Sequence, residues 1–215
     1  MSNHDYKQLR REYLAAPLDR DNLDLSPFEQ FAQWMDKAVE VSPEDATSMT
    51  LATANASGMP AARIVLLKHF DDNGFAWYTD YRSNKGQDLA ENPQASLMFY
   101  WGMLERQLRI QGTVEKLDYA KACEYFNSRP EGSRFSAAAS LQSSPIETRS
   151  DLEAKVTALH EQYPDGDVPC PEDWGGYLLK PTRFEFWQGR ENRLHDRFTY
   201  TLAEGDTWQI TRLQP

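Results

Sequence analysis

The sequence predicts a mainly β, α+β fold in which an antiparallel meander of strands closes into a barrel with flanking helices. From residue 49 onward, short apolar and aromatic runs alternate with turn residues, as at residues 71–74 between two such runs. Consecutive strands joined by short turns favour an antiparallel barrel over a βαβ sheet. Capped amphipathic segments add helices beside the strands.

Capping residues indicate where the helices begin. Ser26-Pro27-Phe28-Glu29 predicts a capping box with proline at the first helical position. Ser83 predicts the cap of a short helix that ends before Pro93. Other helices are predicted at residues 6–15, 118–128 and 145–163, with a loop or small-residue helix at 131–144. The predicted strands are 49–54, 64–67, 75–79, 95–101, 105–117, 183–188, 197–202 and 207–213.

The bulk properties bound the class of protein. The chain has 215 residues, enough for one sizeable core, and its formal net charge is 23 − 33 = −10, which opposes a general nucleic-acid role. Cys123 and Cys170 lack metal-type spacing and are expected to be reduced thiols in a cytoplasmic protein. No signal peptide, membrane span or metal site is expected. Residues 1–25 are predicted to form an arm, and residues 26–215 a single domain.

Cations around one hairpin predict a bound phosphate. Arg63 and Lys68 bracket the apolar run 64–67, which predicts a strand buried on both faces, and Lys85 follows the next strand. An unpaired buried charge is very costly, so these cations need an anion. The segment 144–147 predicts a second capping box, which would put Gln142 and Ser143 just before a helix N-terminus that favours an anion.

A second group of donors, Arg129 and Ser133, lies in the 125–133 segment, so two phosphates are expected, one for a cofactor and one for a substrate. Arg193, His195 and Arg197 alternate along the chain, which predicts a shared strand face. Flanking arginines would disfavour protonation of His195, which is a hint of a site. Trp187 is either a stacking wall or core.

The chain lacks a phosphate-binding glycine loop, a Rossmann fingerprint, a G-x-S-x-G elbow and a His-Glu-x-x-His motif. A nucleotide-type cofactor must then be held by barrel strands.

These segments resemble those of the pyridoxamine 5′-phosphate oxidase family. The resemblance extends from residue 10 to residue 210 of this chain. The most specific stretches are Arg63-Ile-Val-Leu-Leu-Lys68, Tyr125-Phe-Asn-Ser-Arg-Pro130, Gln142-Ser143-Ser144, Trp174-Gly-Gly176, and Phe186-Trp-Gln-Gly189 with Arg193-Leu-His-Asp-Arg-Phe198. The resemblance implies an FMN-binding split β-barrel homodimer with two FMN sites at the subunit interface.

The resemblance also assigns residues. It implies FMN contacts at Arg63, Ile64, Val65, Leu66, Leu67, Lys68, Tyr78, Thr79, Lys85, Gln107, Gln142, Ser143, Trp187 and Arg197. It implies substrate contacts at Arg10, Arg11, Glu12, Tyr13, Lys68, Tyr125, Arg129, Ser133, Arg193, Leu194 and His195, with Arg193 and His195 as the catalytic pair and residues 10–13 as a lid. Composition alone would instead make the arm a solvated tail.

Two departures from the family pattern are visible. Asn84 stands where the family usually has an arginine, so one FMN-phosphate cation is missing. Residues 134–138 replace the usual Gln-Ile-Gly-Ala-Trp, and Arg134 could supply a compensating charge.

The implied reaction is oxidation of pyridoxamine or pyridoxine 5′-phosphate to pyridoxal 5′-phosphate, with O2 as acceptor and H2O2 as product. The alternatives are a related split-barrel oxidase of another pathway, such as a phenazine type, and a flavin- or pyridoxal-phosphate-binding protein without turnover.

Overall fold

The computed structural model describes residues 6–8 and 11–215. The helices are α1 (Pro27–Val41), α2 (Asn84–Glu91), α3 (Tyr119–Ser128), α4 (Glu131–Ala139) and α5 (Arg149–Gln162), with 3-10 turns at Arg20–Asn22, Gly102–Leu104 and Glu191–Arg193. The strands are β1 (Ser48–Ala54), β2 (Pro60–Leu66), β3 (His69–Asp71), β4 (Gly74–Asp80), β5 (Gln94–Trp101), β6 (Arg106–Lys116), β7 (Trp174–Gln188), β8 (Asp196–Leu202) and β9 (Trp208–Leu213).

The strands of the described residues form one sheet in the order β2-β1-β5-β6-β7-β4-β3, and β8 pairs with both β7 and β9. The β1–β2, β3–β4, β4–β7, β7–β8 and β8–β9 pairs are antiparallel. The register sets Tyr78 opposite Gly176 and Trp187 opposite Arg197. The prediction of a mainly β antiparallel fold with flanking helices is therefore confirmed.

The chain divides into two compact units. Unit 1 comprises Met1–Thr47, Met98–Ile110 and Thr182–Pro215, and unit 2 comprises Ser48–Leu97 and Gln111–Pro181. The single domain predicted for residues 26–215 stays a prediction. None of the helices in the part of the chain that the structure describes has the length and apolar character needed to cross a membrane.

Unit 1 is built on aromatic packing of α1. Ser26 caps this helix by accepting a hydrogen bond from the Glu29 backbone N–H, which is one of the two bonds of the predicted capping box. Trp34 meets Phe186 edge to face with ring centroids 5.1 Å apart. Fully buried aromatic side chains of β7 and β8 complete the core of this unit: Phe184, Phe186, Phe198 and Tyr200.

Unit 2 contains a cluster in which Phe126 of α3, Phe135 of α4, Val168 and Trp174 are buried together. A disulfide joins Cys123 of α3 to Cys170, with the Cα atoms 5.5 Å apart. The prediction of two reduced thiols was wrong. A separation of 47 residues gives no sequence signal for pairing, and only the fold brings the two sulfurs together.

Two predicted helix starts were wrong. Residues 6–8 and 11–15 contain no helix, because the arm makes its hydrogen bonds to distant side chains and not within a helical turn. The helix predicted from Ser144 begins instead at Arg149, where Thr148 and Asp151 cap each other reciprocally. The Ser144 N–H donates to the Leu141 carbonyl in a turn. Gln142 and Ser143 therefore do not lie directly before the N-terminus of α5.

The strand predicted to be buried on both faces is largely exposed. Ile64 is 65% exposed and Leu66 is 43% exposed, and β2 lies at the edge of the sheet with only β1 beside it. An apolar run predicts that a strand is covered by other residues, but it does not indicate whether these belong to the same chain or to another. This exposed edge bears on the assembly considered below.

Candidate active site

A cavity of about 1360 Å³ lies within unit 2. Most of the residues predicted to bind a cofactor or a substrate phosphate line it, and they come from β2, β4, α2, α3, α4 and the 140–143 turn. These residues are Arg63, Ile64, Val65, Leu66, Lys68, Tyr78, Thr79, Lys85, Tyr125, Arg129, Ser133, Gln142 and Ser143. Four predicted FMN contacts do not line it: Leu67, which is buried, and Gln107, Trp187 and Arg197, which belong to unit 1.

One end of the cavity is organised by Lys85. Its Nζ donates to Thr79 Oγ1 at 3.0 Å, to Ser83 Oγ at 3.1 Å and to Gln142 Oε1 at 2.5 Å. Burial, together with the Arg63 charge, lowers the pKa of Lys85 to about 8, and Asp80 opposes the shift. The three hydrogen-bond partners of the ammonium are all neutral, so an anion at this point would stabilise its charge.

The N-terminus of α2 opens toward the same place. Ser83 caps the helix by accepting from the Gly86 N–H, and the Asn84 N–H donates to Ser143 Oγ at 3.3 Å. Free N–H groups at a helix start favour an anion. Gln142 and Ser143 thus lie beside a helix N-terminus, but it belongs to α2 and not to the helix predicted after them.

Arg63 is anchored within the sheet. Its Nη1 donates to the Leu51 carbonyl at 3.2 Å and to Thr53 Oγ1 at 2.7 Å, and its Nη2 lies 3.7 Å from Asp88 Oδ2. Burial lowers the pKa of Arg63, while the Asp88 charge raises it. Arg63 therefore contributes a positive wall to the cavity from a fixed position.

The other end of the cavity is aromatic and carries Arg129. Tyr78 stacks on Tyr125 with centroids 4.0 Å apart and on Trp174 at 5.5 Å. The Arg129 guanidinium lies 5.1 Å from the Trp174 ring centroid. Burial lowers the pKa of Arg129, with Tyr125 opposing. Its Nη1 is buried and has no hydrogen-bond partner among the described residues.

A buried charged donor without an acceptor is expensive, and a phosphate oxygen would satisfy it. Ser133, in the first turn of α4, lines the same end of the cavity. Trp174, from the Trp174-Gly-Gly176 motif, stacks on Tyr78 and Tyr125, and its ring also packs against the Arg129 guanidinium.

A second cluster lies within unit 1, around His195. Its ring packs on Trp187 at 4.6 Å and edge to face on Tyr13 at 5.3 Å. Burial lowers the pKa of His195, Arg193 lowers it further, and Asp196 opposes the shift. The lowered pKa favours the neutral form of the ring, which is the direction that the sequence predicted.

The predicted shared strand face of Arg193, His195 and Arg197 was wrong. Arg193 belongs to the 3-10 turn with φ 62°, and β8 begins only at Asp196. Arg193 is exposed and Leu194 is 70% exposed. The positive φ of Arg193 and of Asn192 breaks the period-2 geometry that a strand would require.

Arg197 is held by a buried carboxylate. Its Nε and Nη2 donate to Glu185 Oε1 at 3.0 and 2.8 Å, and Arg109 donates to Glu185 Oε2. Burial alone would raise the pKa of Glu185, but the hydrogen bonds and charges of Arg197 and Arg109 outweigh it and lower that pKa. Gln107 is half-buried on β6 in the same unit.

The arm supplies Arg11 and Glu12, both exposed, and the half-buried Tyr13. Arg10 lies outside the described residues. Tyr13 also meets Trp187 edge to face at 5.6 Å, so this part of the arm contacts the His195 cluster and is not a solvated tail. The role of the arm as a lid over a substrate stays a prediction. Among the described residues, no group of three or more His, Cys, Asp or Glu could hold a metal ion.

The fold and the site together define the class of protein, which is an antiparallel split barrel with a cation-lined cavity. PhzG from Burkholderia lata 383, solved in complex with tetrahydrophenazine-1-carboxylic acid, superimposes with a TM-score of 0.86 at 28% identity, covering 94% of this chain and 99% of that one. An FMN-binding, pyridoxamine 5′-phosphate oxidase-related protein of Nostoc punctiforme shares the fold with a TM-score of 0.72 at 20% identity, covering 90% of this chain and 100% of that one.

The sequence comparisons identify the family. The "Pyridoxamine 5′-phosphate oxidase" profile matches residues 35–163, and the "Pyridoxine 5′-phosphate oxidase C-terminal dimerisation region" profile matches residues 174–215. The pyridoxine/pyridoxamine 5′-phosphate oxidase of Crocosphaera subtropica is 51% identical over 213 residues, which are 98% of this chain and 100% of that protein. The Bordetella pertussis protein of the same name is 52% identical over 207 residues, 96% and 98% of the two chains. The chain belongs to the pyridoxamine 5′-phosphate oxidase family, and the predicted resemblance is confirmed.

Proposed function

We propose that the chain is an FMN-dependent oxidase that converts pyridoxamine or pyridoxine 5′-phosphate to pyridoxal 5′-phosphate, with O2 as acceptor and H2O2 as product. The observation that carries the proposal is that one cavity is lined by two sets of cationic and hydroxyl groups suited to phosphate, one around Lys85 and one around Arg129. A phosphorylated cofactor and a phosphorylated substrate would use one set each. The names of relatives that share half of this sequence supply the substrate class.

The Lys85 end suits the FMN phosphate. Lys85, Ser143 and the α2 N-terminus would hold it, with Arg63 and Lys68 adding positive charge along the same wall. Bound FMN would supply the redox chemistry, accepting a hydride from the exocyclic carbon of the substrate and passing the electrons to oxygen.

The Arg129 end suits the substrate phosphate. The unsatisfied Nη1 of Arg129 would donate to a phosphate oxygen, and Ser133 and Tyr125 would add hydroxyl donors. The Arg129 guanidinium packs on the Trp174 ring, which stacks against Tyr125, so the phosphate end of the substrate would be fixed before reaction.

The His195 cluster would act on the ring end of the substrate. A neutral imidazole can hydrogen-bond the amine or the ring hydroxyl without adding positive charge where hydride leaves. Arg193 would hold the substrate ring and stabilise anionic character there. The side chain of Arg193 is exposed in the single chain, and a bound substrate would give it a partner.

A homodimer would complete the site. The exposed apolar β2 edge at Ile64 and Leu66 suits burial against a second copy, and the C-terminal match is to a dimerisation region. We infer that Gln107, Trp187 and Arg197 of one copy would join the cavity of the other. The cytoplasmic location and the absence of nucleic-acid and membrane partners stay predictions.

The test is a visible spectrum of the purified protein before and after addition of FMN, followed by a peroxide assay with pyridoxamine 5′-phosphate. A flavin spectrum and substrate-dependent peroxide are expected. Turnover of tetrahydrophenazine-1-carboxylic acid but not of the B6 phosphates would favour the phenazine-type alternative. Flavin binding without peroxide from either substrate would leave a binding protein without turnover.

A further inference from the structure

We propose that Glu105 is a positioning residue that docks the N-terminal arm and thereby sets Tyr13 against His195. This role rests on the proposed oxidase function and adds to it a residue that neither the family resemblance nor the sequence motifs single out. Glu105 lies between the 3-10 turn Gly102–Leu104 and strand β6, within unit 1.

The carboxylate of Glu105 binds the arm at its irregular backbone. Its Oε2 accepts from the Leu14 N–H at 2.8 Å and from the Ala15 N–H at 2.9 Å, and its Oε1 lies 3.5 Å from Arg11 Nη2. Because residues 11–19 have no helix or strand, the position of the arm depends on such bonds to side chains. The two N–H donors directly follow Tyr13, so the carboxylate holds the arm next to the ring that covers His195.

Glu105 is itself held rigidly. It adopts a left-handed conformation with φ 55°, and its N–H donates to the Gly102 carbonyl at 3.2 Å. Its carbonyl accepts from the Gly189 N–H at 2.8 Å and from Gln188 Nε2 at 3.1 Å, which ties it to the end of β7. The carboxylate therefore has a fixed position relative to Trp187, one residue earlier on that strand.

Gly189 allows the ring of Tyr13 to approach the backbone closely. A Cβ added to Gly189 would lie 2.4 Å from a Tyr13 ring carbon, so only glycine leaves room for Tyr13 to pack there. Arg190 donates to the Ala15 carbonyl, and the Leu18 N–H donates to Asp196 Oδ2 at 3.1 Å. The arm is thus bound on both sides of His195, and Glu105 provides the two bonds closest to Tyr13.

The docked arm has a specific effect on the site. Tyr13 covers one edge of the His195 ring while Trp187 covers another, and burial is the main cause of the lowered pKa of His195. Loss of the docking bonds would expose the imidazole to water and remove a wall of the substrate site. FMN binding should be largely retained, because none of the predicted FMN-phosphate ligands contacts the arm or Glu105 among the described contacts, although Trp187, a predicted FMN contact, packs on Tyr13.

Three substitutions of Glu105, made in the FMN-saturated full-length protein, distinguish the effect of side-chain length from the effect of side-chain charge. Glu105→Gln keeps an acceptor oxygen at the same reach, whereas Glu105→Asp keeps the charge but is one methylene too short, and a left-handed backbone tolerates Asp. Glu105→Ala removes both. Glu40→Ala, which breaks an exposed ion pair with Lys37 on α1, is the matched control.

The measurements are steady-state kinetics with pyridoxamine 5′-phosphate, flavin occupancy by absorbance, and the rate of tryptic cleavage at Arg11. The Ala and Asp variants should raise KM roughly tenfold or more and speed cleavage by a similar factor, with FMN occupancy unchanged, because two hydrogen bonds to a charged acceptor are lost. Glu105→Gln should stay within about threefold of wild type in both measurements.

Wild-type KM and wild-type cleavage in the Asp and Ala variants would overturn the proposal. Equal damage in all three variants, Gln included, with falling FMN occupancy, would make Glu105 a general structural residue and also overturn it. If the wild-type protein produced no peroxide, the proposed function would fail separately, while the cleavage rates would still decide whether Glu105 docks the arm.

Discussion

The backbone N–H of Arg190 donates a hydrogen bond to Nδ1 of His195 over 3.1 Å. Since Nδ1 is an acceptor here, a neutral ring carries its proton on Nε2, which makes Nε2 the donor toward a substrate. The Arg190 side chain meanwhile donates to the Ala15 carbonyl. One residue thus sets the tautomer of His195 and binds the arm that covers it.

The first prediction concerns Arg193 and His195. Arg193→Leu should lower kcat/KM by about 10²-fold or more, because a misplaced substrate ring loses its alignment for hydride loss. His195→Ala should lower it less, since it removes one hydrogen bond. Steady-state kinetics on FMN-saturated variants, with flavin occupancy measured by absorbance, decides the matter. Near-normal kcat/KM in Arg193→Leu would remove that residue from the active site.

Leu194→Ala should cost little stability. Leu194 is 70% exposed, so its truncation removes little buried area and should change the free energy of unfolding by less than about 0.5 kcal/mol. Thermal denaturation of the variant measures this. A loss of several kcal/mol would mean that another surface, such as a second copy of the chain, covers Leu194.

Arg129→Ala should raise KM for pyridoxamine 5′-phosphate and leave FMN affinity nearly unchanged. The loss of a charged donor to the substrate phosphate should cost about 1.5–3 kcal/mol, or roughly 10- to 150-fold in KM. Arg149→Ala is the control, because Arg149 is highly exposed and pairs only with Glu153 among the described contacts. Loss of FMN binding in Arg129→Ala would contradict the division into two phosphate sites.

FMN affinity should fall as pH rises through about 8. Burial lowers the pKa of Lys85 from 10.5 to about 8 in the apoprotein, and a bound phosphate dianion would stabilise the protonated form. Binding therefore takes up a proton above pH 8. The free energy of unfolding of the apoprotein should rise between about pH 8 and 10.5, because there the unfolded chain binds the extra proton.

Calorimetric FMN titrations at pH 7, 8 and 9 in buffers of different ionisation enthalpy measure this proton uptake. Lys85→Arg should flatten the pH dependence, since arginine stays protonated throughout. Lys180→Arg, at an exposed ion pair with Glu115, should leave it unchanged. An affinity that is independent of pH in the wild-type protein would show that Lys85 does not face the FMN phosphate.

Asn84→Arg should strengthen FMN binding. Asn84 lines the cavity at the first position of α2, next to Ser143, so an added guanidinium can reach an anion held there. A well-aligned charge-assisted contact would stabilise binding by about 1.5–3 kcal/mol. Titration of the apoprotein measures the gain. No gain would indicate that residue 84 points away from the phosphate or that another cation already serves it.

Local chemistry made much of the fold predictable. The Ser26 and Ser83 caps and the turn at residues 71–74 act within a few residues, so the sequence reveals them directly. The second capping box failed because Thr148-x-x-Asp151 satisfies both reciprocal bonds, which Ser144 and Glu147 do not. Both Ser144 and Thr148 match a capping motif, and the path of the chain, not the motif, determines which of them begins the helix.

The site residues were predictable where cations cluster in the sequence. They were not predictable where the contacting residues are far apart in the sequence. Lys85 and Arg129 were found from charge and resemblance, and the structure adds their burial and partners. Glu105 and Glu185 gave no signal, because a lone glutamate is ordinarily a surface residue and their partners are remote in sequence. The partners lie 90 and 91 residues from Glu105, and 12 and 76 residues from Glu185. The exposure of β2 escaped prediction because apolar content is the same for a strand covered by its own chain or by another.

The Cys123–Cys170 bond closes a covalent ring around five of the residues that we propose to bind the two phosphates. Tyr125, Arg129, Ser133, Gln142 and Ser143 all lie inside it, and the chain-entropy account gives a loop of this size about 4 kcal/mol of stabilisation. A protease that cuts the exposed turn at residues 141–147 would therefore open the ring without releasing a fragment. Such a nicked protein should run as one band on a non-reducing gel and as two after reduction. The binding groups for both phosphates would stay on one covalently connected molecule despite the broken backbone.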